Sequence, residues 1–206
     1  MLIIIYDISI IYLIHMKKNL SIIVISAIII LLAAGIFMFS SMQPQPESQQ
    51  KSIIPITNLT MKLVSPAFND NDRIPPRYTC DGENINPPLM ITGVPAGAKS
   101  LALIVDDPDA PSGDWVHWLL WNIKPDTVEI AENSVPMGIT RGTTDFGKPG
   151  WGGPCPPSGV HHYQFKLYAL DTVLSLPESA RKADLEKAMN EHTLDSTMLV
   201  GLYQRK

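Results

Sequence analysis

The chain has 206 residues, with 16 Lys and Arg against 20 Asp and Glu, a net charge of −4 at neutral pH. Its basic residues form no block along any segment, so the electrostatic footprint that nucleic acid demands is missing and nucleic acid is excluded as a partner. The 18 prolines and 13 glycines crowd into residues 66–113 and 136–159, which excludes a helical bundle and fits a β-fold with long, stiff loops.

Residues 1–19 form an N-terminal extension. Residues 1–15 are apolar but interrupted by Asp7 and His15, and Met16-Lys17-Lys18 looks like a natural start of translation. Residues 1–15 are therefore expected to be absent from the native protein; an intact mass that included them would refute this. Residues 20–39 are twenty in number and carry no charge, enough at about 1.5 Å each to span roughly 30 Å of bilayer core. Lys17 and Lys18 favour a cytoplasmic N-terminus, which sends the rest of the chain outward. The bulky run Ile36-Phe37-Met38-Phe39 lacks a small-x-small cleavage pattern, so a retained transmembrane anchor is expected, with secretion after cleavage as the alternative. Residues 40–60, rich in Gln, Ser and Pro, read as a flexible tether. A single folded domain over 61–206 follows.

Within that domain Ser100 to Val105 reads as a short apolar strand, bracketed by Gly97 and by Asp106-Asp107-Pro108. Trp115 to Ile123 is apolar on both alternating faces, the pattern of a central strand covered on each side. In His161 to Leu170, the residues His161, Tyr163, Phe165 and Leu167 share one face. Glu178 to His192 has helical character, with Pro177 just before it. Thr197 to Gln204 is a plausible closing strand. Strands separated by Pro/Gly loops imply a mainly β, two-sheet antiparallel sandwich with Greek-key connections and one or two short helices.

Polar chemistry gathers beside three of these strands. Pro108 and Pro111 stiffen the loop that presents Asp107 and Asp109, and Asp109 suits a structural role, holding the loop through backbone amides. His117 shares a strand face with Trp115; alone, a histidine between tryptophans is more often a satisfied, half-buried residue than a site. Residues 150–159 hold seven Gly or Pro in ten, more than a simple turn needs, and the amides of Gly153 and Cys155 are candidates to point at an anion. Cys80 and Cys155, both in the exported half, permit a disulfide.

Asp107, His117, His161 and Tyr163 admit three chemistries. An anion pocket would use imidazole N–H groups, the Tyr163 hydroxyl and loop amides. A zinc site would need both histidines and a carboxylate within about 2 Å of the metal. A hydrolase would need a nucleophile beside a base, and neither Ser112 nor Ser158 sits in a strained catalytic turn. The pocket demands least of the sequence.

Residues 107–123 (DPDAPSGDWVHWLLWNI) and 153–171 (GPCPPSGVHHYQFKLYALD) resemble the two signature regions of the phosphatidylethanolamine-binding protein family. RYTCDGENINPPL at 77–89 and the ending LVGLYQR resemble its bacterial and archaeal YbhB/YbcL branch, often labelled Raf-kinase-inhibitor-like. The resemblance implies a two-sheet antiparallel β-fold with a shallow pocket for phosphate-like and carboxylate anions, including the phosphoethanolamine headgroup. By motif position its pocket residues fall on Asp107, Pro111, His117, Gly153, Pro154, His161 and Tyr163, with Trp115 at the rim. The expected function is non-enzymatic binding of a small anion outside the membrane, with neither a catalytic residue nor a metal nor a cofactor. Regulation of a protein partner such as a protease or receptor is the alternative, and weak hydrolysis using His117 or His161 as general base a third.

Overall fold

The computed structural model describes residues 60–205. The extension and anchor expected over residues 1–39, and all but the last residue of the tether expected over residues 40–60, lie outside the described residues, and among those described no helix is long and apolar enough to cross a membrane.

Among the described residues nine strands form two sheets. The small sheet pairs β1 (Lys62–Val64), β3 (Leu89–Thr92) and β6 (Glu129–Ile130) in the order β1-β3-β6. The large one is built from β2 (Asp72–Arg73), β4 (Ser100–Asp107), β5 (Trp115–Ile123), β7 (Thr140–Arg141), β8 (His161–Leu170) and β9 (Thr193–Tyr203). Its order is β2-β9-β8-β4-β5-β7. The antiparallel run β8-β4-β5-β7 is a Greek-key order, because β8 returns beside the first of three strands. The expectation of a wholly antiparallel fold needs one correction. Edge strand β2 pairs parallel with β9, which is possible because more than a hundred residues separate the two and no tight hairpin fixes their direction.

The large sheet is apolar on both faces, as its central strands require. One face packs on the small sheet: Leu101, Leu103 and Val105 of β4, Phe165 and Leu167 of β8, and Trp118 and Leu120 of β5 meet Leu63, Leu89, Ile91 and Ile130. The other face, through Ala102, Ile104, Leu119 and Trp121, is covered by Leu185 and Met189 of α1 (Lys182–Met189). This helix is shorter than the 178–192 pattern suggests. The Asp184 carboxylate accepts the Arg181 N–H at 3.0 Å and opens the helix there, while Glu191 adopts φ 65°, a left-handed conformation that stops it.

Two register shifts break β5 against β4. Between the pairs Val105↔Trp118 and Asp106↔Val116, His117 is the extra residue. This β-bulge turns His117 to the face that Trp118 also occupies, which strict alternation forbids.

Candidate functional site

The site forms where β4, β5 and β8 end together on the small-sheet face. Alternation along β8 buries His161 and Tyr163 on that side, Asp107 is the last residue of β4, and the bulge supplies His117. They border a cavity of about 220 Å³, completed by Ala110, Pro111, Ser112, Trp115, Phe146, Cys155, Pro156 and Pro157. Asp107 and His161 are 3% and 6% exposed, so their pairing is not weakened by bulk water.

The hydrogen bonds of Asp107, His161 and His117 each have an identifiable direction. Asp107 Oδ2 accepts the His161 Nδ1–H at 2.7 Å, and Oδ1 accepts the Asp109 amide at 2.9 Å. That arrangement leaves His161 Nε2 for a ligand. His117 Nδ1 lies 2.5 Å from the Gly152 carbonyl oxygen. A carbonyl can only accept, so Nδ1 carries the proton and Nε2 is the free nitrogen. Burial pushes the His117 pKa down, against the pull of the Gly152 carbonyl and of Asp107. At neutral pH its Nε2 therefore presents a lone pair, which becomes a donor when the ring is protonated. The Tyr163 hydroxyl is buried and bonds no group among the described residues. Burial, then the nearby Asp107 carboxylate, raises its pKa, so it remains a hydroxyl able to donate.

The wall is held by long-range ties. Gly152 donates to the His117 carbonyl at 3.0 Å, and a Cβ on Gly152 would run into the Phe146 ring. Phe146 stands edge-on to His117 at 5.4 Å between centroids. Segment 151–155 is fastened to residues 78–84 at four points. Trp151 Nε1 donates to the Tyr78 carbonyl at 3.2 Å, and the Gly153 amide to Asn84 Oδ1 at 2.7 Å. The Cys80 amide donates to the Pro154 carbonyl at 3.1 Å, and Cys80 is disulfide-bonded to Cys155 with a Cα separation of 5.4 Å.

Of the residues expected at the site, Asp107, Pro111, Trp115, His117, His161 and Tyr163 line one cavity. Gly153 and Pro154 do not. The Gly153 amide, expected to be free for an anion, is taken by Asn84, and the space a Cβ would need is occupied by the Tyr78 carbonyl oxygen at 2.5 Å. Both residues are buried behind the lining, as part of the wall's fastening. Asp109 lies outside the cavity. It accepts the His162 amide at 2.8 Å and His162 Nδ1–H at 2.7 Å, and these bonds hold its carboxyl below the usual range. Ser112, weighed as a nucleophile, and Pro156-Pro157, from the Gly/Pro loop singled out at 150–159, also line the cavity, and Ala110 and Phe146 line it without having been expected there. Of these two only Phe146 left a trace, as an isolated aromatic in a Gly/Pro loop. Among the described residues no hydrogen bond links the Ser112 hydroxyl to either histidine, and no cluster of three or more His, Cys, Asp or Glu could hold a metal ion.

The family model for phosphatidylethanolamine-binding proteins matches residues 64–204. A UPF0098 protein of Methanothermobacter thermautotrophicus is 57% identical over 150 residues, covering 70% of this chain and 99% of its own length. One from Pyrococcus horikoshii is 47% identical over 181 residues, covering 76% and 91%. Among solved structures, a putative phosphatidylethanolamine-binding protein homologue from Chlamydia trachomatis superposes with a TM-score of 0.69 at 40% identity, covering 72% of this chain and 99% of its own. E. coli YbcL, described as a new member of the mammalian family, gives 0.67 at 31% identity, covering 71% and 99%.

Proposed function

The chain belongs to the phosphatidylethanolamine-binding protein family, in its YbhB/YbcL branch, and from that premise we propose that its domain is a non-enzymatic binding module for a small oxyanion of the phosphomonoester or carboxylate type. One observation carries this reading: a buried Asp107–His161 pair, the bare Nε2 of His117 and the unpartnered Tyr163 hydroxyl converge on one small cavity. No Lys or Arg lines it, so a dianion would find no full positive charge. A monoanion is better matched. The Tyr163 hydroxyl donates to its oxygens and His161 Nε2, oriented by Asp107, hydrogen-bonds to the ligand beside it, while His117 Nε2 accepts a hydrogen bond from the proton that a singly protonated phosphate or an ammonium headgroup still carries. The phosphoethanolamine headgroup offers both an oxyanion and such a donor.

Calorimetry on the full chain with phosphate, phosphoethanolamine and acetate tests the proposal. His161→Ala should weaken phosphoethanolamine binding by about 10- to 150-fold, the loss of one charge-assisted hydrogen bond of about 1.5–3 kcal/mol. No heat from any of the three with the wild type would refute it.

We further propose that the domain works outside the cytoplasm on an N-terminal anchor. The uncharged residues 20–39 and the Cys80–Cys155 bond support this. Externally added protease should degrade the domain in intact cells; protection until lysis would count against it.

A second reading, recognition of a protein partner, is favoured by Phe146 and Val160, 41% and 46% exposed on the segments that border the pocket. A partner captured from membrane extracts and released by free phosphate would support it. Hydrolysis with His117 or His161 as base would require Ser112 or a water as nucleophile, and a screen of phosphate and carboxylate esters that stayed flat at every pH would remove it.

A further inference from the structure

A second cavity, of about 530 Å³ against about 220 Å³ for the first, opens beside Trp118. It takes Gly150 and Trp151 from the same segment whose Cys155, Pro156 and Pro157 line the oxyanion pocket. The bulge makes this possible, since it turns the consecutive residues His117 and Trp118 to one face, each lining a different cavity.

The larger cavity has a distinct chemistry. No carboxylate lines it, and its sole charged group is Arg141, which forms no ion pair among the described residues. Trp118 is fully buried, yet its Nε1–H has no hydrogen-bond partner there. A buried donor left unsatisfied is costly, and a bound acceptor would relieve that cost. Asn84 Oδ1 accepts the Gly153 amide, and its Nδ2 group donates to no partner among the described residues. Apolar surface comes from Trp151 and Ile139. The volume lies in the range of small-molecule sites.

We propose that this cavity is a second ligand site, for an organic anion that carries its oxyanion on a flat ring. The guanidinium of Arg141 pairs with the oxyanion, the Trp118 and Asn84 N–H groups donate to its remaining acceptors, and the ring lies against Trp151 and Ile139. Inorganic phosphate, lacking the ring, belongs to the smaller pocket. The two sites stand or fall separately.

The four tryptophans make the test direct. Trp115 lines the small cavity, Trp118 and Trp151 the large one, and Trp121 neither. In the full chain labelled with ¹⁵N at tryptophan and held in detergent, phenyl phosphate should move the Trp118 indole signal saturably, as assigned with Trp118→Phe. Arg141→Ala, a change at an exposed side chain, should weaken that response by about tenfold or more while inorganic phosphate still moves Trp115 as in the wild type. Three results would overturn the proposal: a stationary Trp118 signal at millimolar phenyl phosphate, a response confined to Trp115, or a Trp118 response that Arg141→Ala leaves intact.

Discussion

At the scale of single residues, His117 shows how one bond sets a chemical role. The Gly152 carbonyl fixes the tautomer at Nδ1, and burial keeps the ring neutral below the usual imidazole range. Between the unfolded value near 6.5 and the lower folded value, the unfolded chain binds the extra proton, so stability should fall as pH is lowered through that window. Urea unfolding of the ligand-free protein between neutral and acid pH should show this loss, and His117→Gln should flatten it. An equal loss in the variant would assign the effect elsewhere. An anion bound at Nε2 opposes the loss, because it favours the protonated ring. The residue types of the site could be read from the sequence, since Asp107, His117, His161 and Tyr163 cluster beside strand patterns. The direction of their hydrogen bonds could not. Gly153 illustrates the limit, because its amide is consumed by Asn84, some seventy residues earlier, and nothing local signals that partner.

At the scale of elements, the helix and the sheet are joined through a buried charge. Asp106, next to the pocket carboxylate but on the opposite face, is fully buried; its Oδ2 accepts from Lys166 at 2.8 Å and from Lys182 of α1 at 2.6 Å. Lys182 also reaches Asp114, at the start of the strand that carries His117. Desolvation lowers the Lys182 pKa, but the two carboxylates outweigh it and the net shift is upward, so the lysine stays charged. Lys182→Met should destabilise the domain by about 1–3 kcal/mol, since Lys166 still compensates Asp106 in part. A shift in the denaturation midpoint measures it, and an unchanged midpoint would deny the helix this anchoring role. The long strands β4, β5 and β8 were legible because eight to ten residues sustain an apolar run, in β4 and β5, or an alternating one, in β8. Strands β1, β2, β3, β6 and β7 were not, as two to four residues carry no periodicity and depend on partners distant in sequence. The bulge at His117 also escapes pattern reading, for a run apolar on both faces conceals a skipped residue.

At the scale of the whole domain, two sheets enclose one core, and the disulfide ties the pocket wall to the connection between β2 and β3. The bond links positions 75 residues apart, and in the chain-entropy view such a closure stabilises the fold by about 4 kcal/mol. The double variant Cys80→Ser with Cys155→Ser should lose roughly that amount in urea unfolding and bind phosphoethanolamine more weakly, because Cys155 lines the cavity. Retained stability with retained affinity would mean that the remaining hydrogen bonds to residues 78–84 suffice. If His117 and His161 receive an oxyanion between them, the ¹⁵N imidazole spectrum of the full chain will report it during a phosphate titration at mildly acidic pH. Both Nε2 signals should shift together and saturate, with His117 moving towards the protonated form. Nε2 signals that stay fixed at saturating phosphate, or a response of the exposed His162 and His192 alone, would contradict it.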